Sequence, residues 1–124
     1  MPTQIDLRPV VLNLLLYSGD GCNLKLACVN NAGTPVDVSG AVSAEVRKDR
    51  IHPDDPPLVS FTVSMVDAYL GTIGLSLTGE QTESLLTEDP EKFVGVWDVQ
   101  WTPADMEPLT LVQGSLECVA DVTQ

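Results

Sequence analysis

The residues best suited to chemistry in this chain are its single histidine and the two acids that follow it. His52, Asp54 and Asp55 could begin a metal site, because imidazole and carboxylate groups together bind several divalent ions. Three prolines interrupt the same stretch, residues 51–57, so further ligands would have to come from elsewhere in the fold. We therefore expect an exposed, stiffened loop without a resident metal, and we take these three residues as candidates for docking a partner protein.

Other catalytic arrangements are not recognisable in the sequence. A single histidine without an orienting partner makes a poor general base, and no serine–histidine–carboxylate set stands out. The acidic runs near Asp54 and Glu88 do not indicate the two carboxyl groups that a glycosidase holds about 5–10 Å apart in a cleft. Gly71, Gly74 and Gly79 lack the following lysine and the helix of a phosphate loop. The sequence therefore predicts a protein that is not an enzyme and has no cofactor.

Two tryptophans, Trp97 and Trp101, allow two interpretations. If they were exposed, their faces could stack on a sugar ring, as in a carbohydrate-binding module. If they were buried, they would anchor the core, since they supply the largest apolar area in the chain. Their alternation with polar residues favours burial, where we expect them to pack against Phe61 and Leu75.

The three cysteines, Cys22, Cys28 and Cys118, form no C-x-x-C pair and fall in phase with neighbouring leucines. This spacing is typical of small buried hydrophobic residues. It favours synthesis in a reducing cytosol. A single disulfide from Cys118 to Cys22 or Cys28 stays open as an alternative.

The chain is strongly acidic, with 6 lysines and arginines against 18 acids and a net charge of −12. A nucleic-acid binder needs clustered cations that displace phosphate counterions, and the local cluster of Arg47, Lys48 and Arg50 is interrupted by Asp49. We therefore expect neither a nucleic acid nor a membrane as partner, and no apolar run approaches the ~20 residues that cross a bilayer. The simplest explanation of the acidity is solubility. Two more specific alternatives are docking onto a basic neighbour and binding of a hard cation.

Alternation of apolar and polar residues along most of the chain predicts the elements that position these residues. The predicted strands are 10–17, 22–29, 41–47, 58–66, 71–77, 94–101 and 109–122. Thr78-Gly79-Glu80-Gln81 is a capping-box pattern that predicts a short helix as far as Leu86. The 124 residues suit one domain, so we expect a sandwich at residues 10–124 after an N-terminal arm at residues 1–9. The fold class is all-β, an antiparallel β-sandwich of about seven strands with one short helix.

Alternation also predicts which side chains face the core. The predicted inward sets are Cys22, Leu24, Leu26 and Cys28; Val42, Ala44 and Val46; Val59, Phe61, Val63 and Met65; Ile73, Leu75 and Leu77; Trp97, Val99 and Trp101. Gly114 interrupts the final strand, which favours a bulge or bend there.

The order of these motifs carries a resemblance. Its elements are Tyr17-Ser18-Gly19-Asp20, Leu24-Lys25-Leu26, Gly33 to Gly40, Ala44 to Arg47, Phe61-Thr62-Val63, Gly71 to Thr78, Gln81-Thr82 and Val96 to Val99. The pattern resembles the small immunoglobulin-like domain of tailed-phage virion proteins, and it is similar to the N-terminal domain of baseplate upper proteins. Related modules occur in the minor tail proteins of actinobacteriophages. The resemblance covers about residues 10–122 and implies an immunoglobulin-like sandwich.

The resemblance also implies a function. We expect a structural virion protein, a minor tail or baseplate component that docks other phage structural proteins in several copies per virion. It would be synthesised in the host bacterial cytoplasm and would reside in the tail or tail tip. The alternatives are a capsid decoration protein and, in a different class, a carbohydrate-binding module.

Overall fold

Strands with alternating side chains make up most of the molecule, as the sequence predicts. The computed structural model describes residues 9–29, 32–49, 56–104 and 106–120. Within these ranges the elements are β1 (Val10–Val11), β2 (Leu14–Tyr17), β3 (Cys22–Ala27), β4 (Ala41–Arg47), β5 (Val59–Ser60), β6 (Thr62–Asp67), β7 (Thr72–Leu77), α1 (Gly79–Ser84), β8 (Lys92–Thr102) and β9 (Leu109–Val119).

The strands form two sheets that share one core. The larger sheet has the order β1-β9-β8-β4-β5, with β2 also paired to β9, and the smaller has the order β3-β7-β6. The series β9-β8-β4-β5 and β3-β7-β6 correspond to the G-F-C-C′ and B-E-D strands of an immunoglobulin-like sandwich. The predicted fold class is therefore confirmed. One feature was not predicted: β1 and β2 pair with β9 in parallel, whereas the other strand pairs are antiparallel.

Trp97 lies at the centre of the core. Its side chain is 1 % exposed. Its ring centroid is 5.6 Å from that of Phe61, at an interplanar angle of 46°. The predicted burial of Trp97 is confirmed. The buried core comprises Leu16, Cys22, Val38, Ala44, Val46, Phe61, Ile73, Leu75, Leu77, Leu85, Trp97, Val99, Val112, Leu116 and Cys118.

The predicted strand 58–66 is two strands in different sheets. β5 pairs with β4 in the larger sheet, whereas β6 pairs with β7 in the smaller one. Between them, the buried Phe61 still donates its N–H to the Ala44 carbonyl at 2.8 Å. The register of β6 shifts between Ser64 and Asp67, and Met65 is exposed. The prediction of Met65 as a core residue is therefore wrong, because such an irregularity breaks the strict alternation of faces.

The first strand is divided as well, and the division has a clear cause. Leu12 donates its N–H to the Gln113 carbonyl at 2.9 Å. The Ser115 N–H donates to Asn13 Oδ1 at 3.0 Å, so the side chain takes the place of a backbone acceptor. The Leu12 carbonyl accepts a hydrogen bond from Trp97 Nε1 at 2.8 Å. These contacts attach the bend between β1 and β2 to the last strand and to the core tryptophan.

Gly114 has a different role from the predicted one. The register shift between β8 and β9 lies between Val99 and Gln100, away from the pairing of Gly114 with Trp97. A Cβ at Gly114 would overlap the Leu12 carbonyl oxygen. Glycine is therefore needed here because the first strand approaches the last one closely, and the predicted bulge at Gly114 is wrong.

The helix begins as predicted. Thr78 is its N-cap, and its hydroxyl accepts from the Gln81 N–H at 3.1 Å. The Gln81 side chain completes the capping box by accepting the Thr78 N–H at 2.8 Å. It also donates from Nε2 to the Ser60 carbonyl at 3.1 Å, which joins the helix to β5.

Thr82 fixes the helix to the turn between β2 and β3. Its side chain is buried, and its hydroxyl accepts the Gly19 N–H at 3.1 Å. The same hydroxyl lies 3.0 Å from the Asp20 carbonyl and 2.9 Å from the Gly79 carbonyl, and its one hydrogen serves one of them at a time. One side chain thus satisfies polar groups of two elements at this end of the sandwich.

We expect Thr82→Val to lower the free energy of unfolding by about 1–3 kcal/mol, because valine keeps the shape but leaves the Gly19 N–H without its acceptor. Urea denaturation of both proteins measures the difference. The matched variant Thr82→Ser retains the hydroxyl, so its free energy of unfolding should fall by clearly less than that of Thr82→Val. Equal losses in the two variants would show that the methyl group, and not the hydrogen bonds, matters at this position.

Candidate docking surfaces

The predicted docking residues His52, Asp54 and Asp55 lie outside the described residues. Among the residues that the structure does describe, no group of three histidine, cysteine, aspartate or glutamate side chains is arranged to hold a metal ion. No helix in the described ranges is long and apolar enough to cross a bilayer. Candidate sites must therefore be sought in the surfaces of the two sheets and in their connecting loops.

The two tryptophans do not form a joint stacking platform for a sugar. Trp97 has almost no exposed surface, and its indole N–H is directed at the Leu12 carbonyl. Trp101 is half-buried, and its Nε1 donates to the Ser39 carbonyl at 3.1 Å. Their roles are to pack the core and to hold the loop before β4. The expectation that Trp97 and Trp101 act as core anchors is met most fully by Trp97.

The three cysteines are free thiols, so the alternative of a disulfide is not realised in this structure. Cys22 and Cys118 are buried, and Cys28 is half-buried. Burial raises the pKa of all three thiols, because a thiolate is poorly solvated in apolar surroundings. A thiol with a raised pKa is a weak nucleophile at neutral pH, so the arrangement suits packing rather than catalysis.

A polar groove of about 330 Å³ lies on the outer face of the larger sheet. Its side chains bond to one another: Arg47 contacts Glu45 at 3.4 Å, and Gln100 Nε2 lies 3.4 Å from Asp98 Oδ2. The lining contains one cation, Arg47, and three carboxylates, those of Glu45, Asp49 and Asp98, so charges of both signs are present with an excess of negative charge. This arrangement is typical of a solvated sheet face.

The first strand presents an apolar surface of a different kind, which we call the first-strand edge. It consists of Val10, Val11, Leu12, Leu15 and Tyr17. These side chains are between 38 % and 68 % exposed. Residues 10–17 carry no charge, although the chain as a whole has a net charge of −12. An apolar strip of this kind on an acidic protein indicates an interaction surface.

The backbone of the first-strand edge also has unpaired groups. Ser18 donates its N–H to the Val119 carbonyl at 2.8 Å, so this end of β2 is in register with β9. Because hydrogen-bonding direction alternates along a strand, Leu15 directs its N–H and C=O away from β9, and Tyr17 directs its N–H away as well. The Tyr17 carbonyl accepts the Asp20 N–H at 3.1 Å in the turn that follows. In the described part of the chain no strand pairs with β2 on that side. As far as the described residues show, this side of β2 is therefore open to another strand.

The other sheet edges carry features that discourage strand addition. β3 has an exposed lysine, Lys25, in its middle. β6 is irregular between Ser64 and Asp67, and β5 is a strand of 2 residues that follows closely on two prolines. Charge, irregularity, shortness and proline are the usual protections of an edge strand. Within residues 10–17, β1 is also a strand of 2 residues and a bend separates it from β2, whereas β2 (Leu14–Tyr17) has neither a charge nor a proline.

A second apolar surface lies where three loops meet, and we call it the loop end. Its exposed side chains are Val29, Tyr69, Leu70 and Met106. They are between 54 % and 78 % exposed. The register pairs Ala27 with Thr72 and Ala41 with Thr102, which places all three loops at the same end of the sandwich.

Hydrogen bonds hold the loop end together. The Val38 N–H donates to the Ala68 carbonyl at 2.9 Å, and the Cys28 N–H donates to the Gly71 carbonyl at the same distance. Ser39 donates to Asp37 Oδ1 from its hydroxyl and its N–H, which holds the pKa of Asp37 below its usual value. These contacts order the backbone that presents the apolar side chains.

Neither surface was identified from the sequence. Residues 10–17 were predicted to form a strand, but the sequence could not tell an edge strand from a central one. The absence of charge over those eight residues was the available signal. Tyr69 and Leu70 lie in a turn, where single exposed apolar residues are common and indicate little by themselves.

Comparison with known proteins assigns no function, so a function has to be inferred from the fold and from these two surfaces. No protein-family model matches the chain, and no curated protein sequence matches it. The class that the fold and surfaces define is an all-β, immunoglobulin-like sandwich with two exposed apolar surfaces.

Proposed function

We propose that the protein is a structural subunit of a tailed-phage virion, a minor tail or baseplate component that works by contact with other structural subunits. The observation that supports this proposal is the presence of two apolar surfaces on one sandwich, the first-strand edge and the loop end. An adaptor needs such an arrangement, because each neighbour must bury its own part of the surface. The order of the sequence motifs resembles that of tailed-phage immunoglobulin-like domains, and this resemblance is the reason for proposing a phage tail or baseplate as the assembly.

The two surfaces can be occupied together. The first-strand edge runs along β9 at the side of the larger sheet, whereas the loop end joins β3 to β4, β6 to β7 and β8 to β9. The edge offers a strand with free backbone groups, and the loop end offers side chains on ordered turns. Two neighbours could thus be recognised by different modes of contact.

The test is the location of the protein in intact particles of the phage that encodes it. We expect mass spectrometry of purified virions to detect the chain, and immunogold electron microscopy to label the tail or its tip. Label spread over the head would replace the tail assignment by a capsid decoration protein. Absence from intact particles in both measurements would overturn the proposal of a virion protein.

A further inference from the structure

We propose that β2, the longer strand of the first-strand edge, takes an extended, cationic segment of a partner protein as an added strand. Leu15 directs its N–H and C=O away from β9, and Tyr17 directs its N–H away as well. In the described part of the chain no strand lies opposite these groups. Backbone groups spaced along a strand are satisfied in full by another strand. The inference names the partner of one surface, and it rests on the proposed function only in treating that surface as a contact.

The side chains of β2 fit the middle of such a segment. Leu15 and Tyr17 are 55 % and 48 % exposed, whereas Leu16 between them is buried. An added strand would set its own side chains about 4.5–5.5 Å from those of Leu15 and Tyr17 on the outer face. Valine, isoleucine and threonine suit such cross-strand positions. The structure therefore predicts a partner segment in which these residues alternate along the strand.

The end of β2 is acidic. Asp20 and Glu83 are both exposed, and together with Ser18 they line a pocket of about 380 Å³. The described residues that line this pocket include no lysine or arginine. Neither carboxylate takes part in an ion pair among the described residues. Ser18 follows Tyr17 directly, so a strand that pairs with β2 and continues past Tyr17 reaches the rim of the pocket.

Charge selects the partner. The chain has a net charge of −12, which attracts a cationic segment and repels a second copy of the chain. A lysine or arginine at the end of the added strand would lie beside Asp20 and Glu83, while its apolar residues would lie beside the uncharged Leu15 and Tyr17. Complementary charge at one end of an apolar contact confers specificity for the partner. The partner is therefore a strand of alternating β-branched residues that ends in a basic residue.

The first test measures the binding of labelled peptides to the full chain by fluorescence anisotropy. The probe is a short peptide of alternating valine and threonine, blocked at both termini, with a lysine at each end so that either strand direction is served. We expect it to bind at least about tenfold more tightly than the same peptide with glutamate at both ends. A third peptide, with proline in place of the central residue, lacks a backbone donor and should not bind.

Asp20→Asn tests the charge at the end of β2. We expect the dissociation constant of the lysine peptide to rise about threefold, because an exposed ion pair is lost. The matched control is Glu107→Gln, which removes one negative charge from an exposed position between β8 and β9 and should leave the dissociation constant unchanged. Circular dichroism of both variants checks that they fold.

Hydrogen exchange in the unaltered protein reports where the peptide binds. With the lysine peptide at saturation, exchange at the Leu15 and Tyr17 amides should slow by about tenfold or more. The internal control is Lys25 at another sheet edge, whose N–H points away from β7 because Cys28 bonds to Gly71 in the same ladder. We expect the exchange rate of its amide to be the same with and without the peptide.

Several results would overturn the inference. Lack of binding by the lysine peptide, or equal binding of the lysine and glutamate peptides, would refute a cationic partner, and equal binding of the proline peptide would refute strand addition. Slow exchange at Leu15 and Tyr17 in dilute protein without peptide would show that the chain itself covers this edge. Exchange that slows with protein concentration alone would assign the edge to a second copy. A protein found in virions that binds no peptide would refute this inference alone, and a peptide-binding protein absent from virions would refute the virion role alone.

Discussion

Trp97→Ala is expected to destabilise the protein by about 3–5 kcal/mol, the range measured for large aromatic residues truncated in cores. Trp97 is buried between the two sheets and packs against Phe61. Its loss also leaves the Leu12 carbonyl without the indole donor that holds the first strand to the core. Since domains of this size are stable by about 5–15 kcal/mol, the change removes a large part of the total.

Trp101→Ala is the matched control, because it deletes the same side chain from a half-buried position. In urea denaturation monitored by circular dichroism, the midpoint urea concentration of Trp101→Ala should be well above that of Trp97→Ala. The slope of the free energy of unfolding against urea concentration should be similar in the two variants. If the two variants lost equal stability, Trp97 would not have the central role that its burial indicates. A glycan-array signal that the Trp101→Ala variant loses, although it stays folded, would instead support the carbohydrate-binding alternative.

Gly114→Ala should produce the second large effect, a loss of about 3 kcal/mol, at the upper end of what overpacking costs. The added Cβ meets the Leu12 carbonyl oxygen, which is backbone and cannot rotate away like the end of a flexible side chain. Relief requires the bend between β1 and β2 to move away from β9. The loss should therefore be accompanied by faster hydrogen exchange at Leu12, whose N–H donates to Gln113.

Gly74→Ala provides the comparison for this variant. A Cβ at Gly74 would have Ser64 Cβ, Val66 Cγ2 and the Ser64 carbonyl at 3.5–3.7 Å, which is ordinary contact. We expect its midpoint of thermal unfolding to stay close to that of the unaltered protein. A Gly114→Ala protein as stable as Gly74→Ala would contradict the close approach of Leu12 to the last strand.

Local patterns predicted the parts of the fold that depend on near neighbours in the chain. The strand β4 has the predicted bounds, and Ile73, Leu75 and Leu77 are buried as their alternation indicates. The capping box at Thr78 and Gln81 forms as predicted, because both partners lie within one helical turn. In each case the interacting groups are close enough in sequence for spacing alone to bring them together.

Predictions failed where a distant strand decides the geometry. The stretch 58–66 alternates throughout, but it crosses from one sheet to the other at Phe61, because β4 and β7 supply different partners for its two halves. The sequence favours a bulge or bend at Gly114 within its own strand. Its requirement comes instead from Leu12, about a hundred residues earlier in the chain.

For the candidate surfaces, too, some properties follow from the sequence and others only from the tertiary structure. The residue types themselves establish that 10–17 is an uncharged, alternating strand and that His52, Asp54 and Asp55 stand in a proline-rich stretch. The tertiary structure makes 10–17 an edge, since β2 pairs with β9 on one side and lacks a strand among the described residues on the other. Alternation records which face of a strand is apolar, whereas the pairing partner is set by contacts far apart in sequence. For this reason the sequence predicts the sandwich, and the fold determines which of its strands is open to a neighbour.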